Sequence, residues 1–457
     1  MLRSVLLSFA FISFLCAKPM AKASPPRRFL PQQTAVIPVR EDDPLVHFYE
    51  RVRYADALCA KETIVFEKKI VKGRARLLER PVLLAALDPR DGSWHMIHLA
   101  VPNPIPDSYI KSIRKAKTIA EREACTIPVR VLTPGYDVVH VAGVGPTRFT
   151  VRVTYARDGN PLHRDPLVVY RMVWVRIPGR KETDFARATQ RAQLLYYTPT
   201  TKELITPKLI NEGKNFLLRK MAVAKNHLRE LGVRSKAFPE RRLADVFPDE
   251  IVLSLMISEQ WDPLYFSEDR AGSMSRILAE YGINREEAFM WSVSSANAIG
   301  ALQFTNKHNN GTYASVVRGY RDARLEKSFE DGARNMHNII KAAICLLDLE
   351  LARSQKACDL FAKDATLGGI QPVAAYNGGP VAGERMVGEI ERLNGKKLSL
   401  LDRAIMKLPN FILPASYRSV QNRKNKLALK GIRVNSETPM YIKKYLFLME
   451  YWEKKKR

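Results

Sequence analysis

Glu259 is the residue of this 457-residue chain whose type and setting most directly offer chemistry. It stands near the end of residues 249–261, DEIVLSLMISEQW, an acidic pair followed by an apolar run. Val252, Leu255, Met256 and Glu259 recur at i, i+3, i+4 and i+7, so a helix would carry the Glu259 carboxyl at the edge of its buried face. Asp249 and Glu250 fall where a helix N-terminus favours negative charge. Burial raises the pKa of a carboxyl. A Glu that stays protonated near neutral pH can give its proton to a leaving oxygen, which is the first requirement of glycosidic-bond cleavage. The plain alternative is a Glu on the last exposed turn of an ordinary core helix.

Four later segments add polar groups in a definite order. Ser295-Ala296-Asn297-Ala298-Ile299-Gly300-Ala301-Leu302-Gln303 joins small residues to a lone amide, and Asn338-Ile339 opens an apolar stretch through Leu346. Ala374-Ala375-Tyr376-Asn377-Gly378-Gly379-Pro380 has the composition of a helix-ending turn, and Glu437-Thr438-Pro439-Met440-Tyr441-Ile442 lies near the C-terminus. With Glu259 these segments resemble the soluble lytic transglycosylase domain, a lysozyme-like fold that cleaves the glycan strands of peptidoglycan. That family has a helix ending in Glu-Ser, a Gly-Leu-Met-Gln segment, an Asn-Ile helix with a small residue four positions on, an Ala-Tyr-Asn-Ala-Gly-Pro turn and a late Glu-Thr-x-x-Tyr-Val. The corresponding stretches here are Glu259-Gln260-Trp261-Asp262-Pro263, Gly300 to Gln303, Asn338 with Ala342, Tyr376 to Pro380, and Glu437 to Ile442. The resemblance spans about 245–450 and rests on the order of the motifs rather than on any one of them; residues 24–240 gain nothing from it.

The resemblance implies that Glu259 protonates the oxygen between N-acetylmuramic acid and N-acetylglucosamine, then as a carboxylate takes the proton of the muramic C6 hydroxyl, leaving a 1,6-anhydro end. It implies that Tyr376 and Asn377 orient the bond, that Gln303 hydrogen-bonds the glycan, and that Tyr441 and Glu437 form the wall around the site. Gln260 stands where the family has Ser, so its longer amide has to remake that polar contact with the substrate region. No cofactor is implied. A second departure is length, for 41 positions separate Glu259 from Gly300, which reads as an insertion over about 266–291. It carries Glu268, Asp269, Glu280, Glu286 and Glu287, any of which could stand near the glycan as a second carboxylate. A water-activating carboxylate roughly 6.5–9.5 Å across a cleft from Glu259 would instead give a muramidase like the goose-type lysozymes. A cell-wall-binding scaffold without catalysis is the reading from another class.

The elements that carry these residues belong to an ordinary globular composition. Hydrophobic residues make up 46% and charged residues 26%, with 23 Gly and 27 Pro, which excludes disordered and collagen-like chains. At about 150 residues per domain the length suggests two or three domains. The net charge of +27 attracts anionic partners over about a Debye length, roughly 8 Å at physiological salt. Aromatic-basic interleaving and groove-reading motifs are lacking, which argues against nucleic acid. Peptide-stem carboxylates of peptidoglycan and peripheral contact with anionic envelope surfaces match the charge. Arg3, the apolar run over 5–17 and Ala21-Lys22-Ala23 read as a secretory signal peptide over 1–23. That run falls short of the roughly 20 residues a spanning helix needs, so export across the inner membrane to the periplasm or cell envelope is expected.

In an oxidising compartment disulfides persist, and Cys59, Cys125, Cys345 and Cys358 paired in order would place one bridge in each half of the chain. Three connectivities are open, and buried free thiols are the alternative. His95 and His98 lie three apart, but no Cys, Asp or Glu cluster completes a metal site.

Pro-rich residues 24–45 read as a tether. Helical periodicity is expected to dominate 46–125; Ile110 and Ile113, for example, share a face. Over 126–180 the period is two: Phe149, Val151, Val153 and Tyr155 alternate with Arg148, Thr150, Arg152 and Thr154. Together with the run at 167–177, after the turn residues Asp158 to Pro161, this predicts a small antiparallel sheet. The expected fold is α+β. A domain with helices and a small sheet occupies 46–202, a basic helical linker 203–242, and a mostly helical lysozyme-like domain 243–457. The first domain could recruit other envelope proteins.

Overall fold

The computed structural model describes most of residues 50–142, the strands between 149 and 197, and residues 205–394 and 438–456, with short gaps near 291–297 and 307–310. The leader at 1–23, the tether and Glu437 lie outside the described residues. The fold is α+β.

The strands are β1 (Lys68–Val71), β2 (Arg74–Leu77), β3 (Glu79–Leu87), β4 (Trp94–Pro102), β5 (Thr126–Ile127), β6 (Arg130–Val131), β7 (Tyr136–Ala142), β8 (Phe149–Arg157), β9 (Asn160–Pro161), β10 (Leu167–Arg176) and β11 (Thr189–Tyr197). They form the β1-β2 pair, an antiparallel five-stranded sheet in the order β11-β10-β3-β4-β6, and a four-stranded sheet in the order β5-β7-β8-β9. The alternating segments at 149–157 and 167–176 are strands, as their period requires. The helical expectation for 46–125 fails over 68–102, which is β1 to β4; helix is kept in α1 (Asp107–Lys115) and α2 (Ile119–Glu123). For β3 and β4 the reason is burial on both faces. In β3, Val82, Leu84 and Ala86 pack with Ile97, Leu99, Val101 and Tyr109, while Leu83 and Ala85 pack on the opposite face with Cys59, Leu209, Ala279 and Ile283. A strand covered on both sides is a continuous apolar run, which period two does not mark.

The helical part comprises α3 (Pro207–Glu230), α4 (Asp249–Ser258), α5 (Pro263–Glu268), α6 (Arg270–Asn284), α7 (Thr312–Gly319), α8 (Phe329–Arg334), α9 (Met336–Leu351), α10 (Gln355–Lys363), α11 (Ala365–Gly368), α12 (Ile370–Gly378), α13 (Pro380–Asn394) and α14 (Thr438–Lys456). α4 and α9 are apolar nearly all round and form the centre of the core, with α14 against α4. The expected linker is no linker. Phe216, Leu217, Met221, Ala224 and Leu228 of α3 are buried in this same core, as is Lys225, whose ammonium donates to the Phe247 carbonyl, while the other Lys and Arg of the helix lie toward the surface. The 266–291 insertion supplies α6, whose Ala279 and Ile283 meet β3 together with Leu209 of α3. Insertion and linker together thus form the platform on which the five-stranded sheet rests.

No bridge joins the cysteines in sequence order: Cys125, Cys345 and Cys358 are thiols. Each packs against apolar neighbours, and Cys125 and Cys358 also donate their S–H to the Glu121 and Leu351 carbonyls. Cys345 is fully buried in α9, where desolvation pushes its thiol well above the usual range, and Cys125 packs beside Ile127.

One pH-sensitive contact lies in this core, where the rings of His227 and His337 stack with Nδ1 of the first 2.8 Å from Nε2 of the second. Burial and then the Lys341 ammonium push His337 from 6.5 down to about 4. The unfolded chain therefore takes up this proton first as pH falls, so the contribution is complete above about 6.5 and is lost toward about 4. The urea midpoint is expected to fall between pH 7 and pH 5, and His337→Phe to flatten that fall; identical slopes for the two proteins would contradict this.

Candidate active site

α4 ends because the chain must turn into α5. Glu259 is its C-cap, with its amide on the Leu255 carbonyl at 3.0 Å, and the N–H groups of Gln260 and Trp261 close back onto Ile257 and Ser258. Asp262 opens α5, its carboxylate accepting the Leu264 N–H at 2.8 Å. The four residues 259–262 therefore connect two helices without slack. Trp261 anchors them: it is 2% exposed, its indole N–H donates to Ser273 Oγ at 2.7 Å, and its ring meets Phe266 edge to face. Lys444 of α14 donates to the carbonyls of Ser258 and Trp261 from the other side.

On this turn Glu259 is half-buried, and it faces a cavity of about 410 Å³. The wall includes Gln303, Tyr376, Asn377, Gly379, Pro380 and Glu350, so Glu259 shares one cleft with the tyrosine-asparagine turn. Among the described residues the wall holds two carboxyls, Glu259 and Glu350, and no basic side chain, although the chain as a whole is strongly basic. Tyr441 of α14 donates its hydroxyl to Glu259 Oε1 at 2.7 Å and fixes the rotation of the carboxyl. Burial first, and then the Glu259 charge, hold the Tyr441 and Tyr376 phenols well above their ordinary pKa. Both are therefore neutral hydroxyl donors near neutral pH.

The second wall comes from the Gly300-Ala301-Leu302-Gln303 turn, closed by antiparallel pairing of Ile299 with Phe304. Gly300 has φ +82, and a Cβ there would lie 2.1 Å from the Ala333 carbonyl, so the turn tolerates glycine alone. Gln303 lines the cleft while its amide donates to the Gly300 carbonyl at 2.7 Å. Tyr376 donates to the Leu302 carbonyl at 2.6 Å and so ties the end of α12 to this turn. Asn377 Oδ1 accepts the Thr438 hydroxyl at 3.0 Å, joining the same end of α12 to the start of α14.

The sequence-derived candidates divide. Glu259, Gln303, Tyr376 and Asn377 line the cavity, with Tyr441 bonded to Glu259. Gln260 does not reach it. At 4% exposure its amide donates to the Ala301 carbonyl at 2.8 Å, which makes it a strut between the Glu259 turn and the Gly300 turn rather than a glycan contact. Asn338 is likewise structural, bonding Gly332 and Tyr313. The carboxylates of the insertion are occupied elsewhere: Glu268 accepts the Ile119 N–H, Asp269 caps α6, Glu286 pairs with Lys220, and Glu280 is buried within α6. Glu287 lies at the surface turn after α6, and none of the five lines the cleft.

The residue that sequence reasoning missed is Glu350. It lies one turn beyond Leu346 on α9, and both face the cavity. Burial raises its carboxyl, an effect partly offset by Arg353, whose Nε is 2.9 Å from Oε2. In the sequence it is one of three charges within 339–351, beside Lys341 and Asp348, so nothing local distinguishes it. Among the described residues no cluster of His, Cys, Asp and Glu suits a metal ion, and no helix is long and apolar enough to cross a membrane. No protein-family model, curated protein or solved structure matches the chain.

Proposed function

We propose that the chain is an exported peptidoglycan lytic transglycosylase that cleaves the β-1,4 bond between N-acetylmuramic acid and N-acetylglucosamine and leaves a 1,6-anhydro end. The observation that carries this reading is the half-buried Glu259 carboxyl, oriented by Tyr441 and opening onto one cleft with Tyr376, Asn377 and Gln303. Protonated Glu259 gives its proton to the glycosidic oxygen as the C1–O bond breaks, and the sugar's own acetamido oxygen bonds C1. The Glu259 carboxylate then takes the proton of the C6 hydroxyl as O6 displaces the acetamido oxygen, which restores the acid without water or a metal-bound group. One carboxyl performs both transfers, a task that suits a pKa near working pH.

The family resemblance supplies the substrate class. The positive charge of the chain suits peptide stems and anionic envelope surfaces, an attraction that salt weakens. In this reading the leader at 1–23 directs the enzyme to the periplasm or envelope, and the N-terminal part recruits other envelope proteins.

Glu350 favours one second reading, hydrolysis, in which it would activate water across the cleft from Glu259. Digestion of purified peptidoglycan followed by mass analysis of the ends tests both. The wild type is expected to yield anhydro ends, and Glu350→Gln to keep that end chemistry. Reducing ends that disappear with Glu350→Gln would transfer the assignment to a muramidase.

A further inference from the structure

Beyond the cleft, one buried contact reaches the Glu259 turn from 140 residues away in sequence. Arg122, on α2 of the N-terminal part, places Nη1 2.8 Å from Asp262 Oδ2, and both side chains are only 12% exposed. Asp262 is the last residue of the slack-free turn that begins at Glu259, and its other oxygen caps α5. Beside this pair the Ile119 N–H, also of α2, donates to Glu268 at the far end of α5 at 2.7 Å. One short helix of the N-terminal part therefore grips both ends of α5, while β3 rests on α3 and α6 behind it.

Resting on the reading of Glu259 as the acid and base, we propose that Arg122 is a positioning residue for Glu259, acting through Asp262, so that the N-terminal part is an integral half of the active site. The physical argument is geometric. A carboxylate held at this depth by a guanidinium is fixed by a charge-assisted hydrogen bond, and the helix it caps is fixed with it. Residues 259–262 have one arrangement that satisfies the α4 C-terminus, the Asp262 cap, the Trp261–Ser273 bond and the Lys444 contacts together. Releasing Asp262 from Arg122 lets the cap and the turn rotate, and Glu259 moves with them. This gives the N-terminal part and the insertion one shared purpose: the insertion provides the landing surface, and the docked part returns a restraint on the acid.

The full-length chain is the object of the test, with Arg122→Met keeping the aliphatic stem and Arg122→Lys keeping the charge. Thermal unfolding first shows that each variant is folded. On peptidoglycan Arg122→Met is expected to lose about 10- to 100-fold in kcat with KM nearly unchanged, the signature of a displaced acid, and Arg122→Lys to recover part of it. The activity-independent readout is the Trp261 indole N–H resonance in tryptophan-labelled protein, assigned with Trp261→Phe. It is expected to shift in Arg122→Met and to move back toward the wild-type position in Arg122→Lys. A wild-type kcat in Arg122→Met overturns the proposal, and so does an unmoved Trp261 resonance. If the wild type does not cleave peptidoglycan, the catalytic reading fails, and the resonance still decides whether Arg122 holds this turn.

Discussion

Glu259→Gln is expected to abolish nearly all release of soluble glycan from peptidoglycan, a loss of about 10²–10⁴-fold in kcat/KM, or roughly 2.7–5.4 kcal/mol of transition-state stabilisation. The substitution isolates the proton. Glutamine has the same shape, and its carbonyl oxygen can still accept from Tyr441, whose hydroxyl lies 2.7 Å from Glu259 Oε1 in the native site. Turn, cap and cleft are thereby preserved, and only the capacity to give and retake a proton is removed. An unchanged unfolding midpoint shows that the loss is chemical. A variant retaining more than about a tenth of the wild-type rate would mean that Glu259 is not the acid, because a positioned general acid contributes at least about that much again.

The largest expected effect on stability comes from a residue far from any chemistry. Gly213 of α3 faces α6 so closely that a Cβ there would lie 1.8 Å from the Leu278 carbonyl oxygen and 2.9 Å from the Gly282 nitrogen. The contact is reciprocal, since a Cβ on Gly282 would meet the Leu209 carbonyl at 2.4 Å. Backbone offers no rotamer to move aside, so Gly213→Ala must push the two helices apart along their packed length. We expect a loss of about 3 kcal/mol or more, above the ordinary range for overpacking, and a fall in Tm of roughly 6–12 °C. Calorimetry on the full chain reads it directly. A variant within about 2 °C of the wild type would show that α3 is peripheral, as its basic composition suggested, rather than part of the core.

These two positions mark how far the sequence was legible. Glu259 could be read because it is the one carboxyl at the end of the apolar run 251–258, although α4 is buried all round and not along one stripe only. Tyr376, Asn377 and Gln303 could be read because small residues and a helix-ending turn leave recognisable strings, and all three reach the cleft. Gln260 could not, because successive residues at a helix end point about 100° apart, so the neighbour of a cleft-facing Glu turns inward to the Ala301 carbonyl. Glu350 went unseen because its setting arises from how α9 packs, not from any spacing near it. The same holds for β3 and β4, whose two covered faces erase the alternation that marks a strand. For α3, Lys and Arg on one face outweighed in composition the Phe216, Leu217, Met221 and Leu228 stripe on the other. Local sequence thus located the acid, while long-range packing supplied the second carboxyl and the Arg122 restraint.

The claim that a single carboxyl both gives and recovers the proton, with no water entering the bond, is tested most directly by digestion in H₂¹⁸O. Every newly formed muramic end should be a 1,6-anhydro sugar free of ¹⁸O, appearing at the wild-type rate and absent with Glu259→Gln. New reducing ends carrying one ¹⁸O each would contradict the account and assign the second step to water.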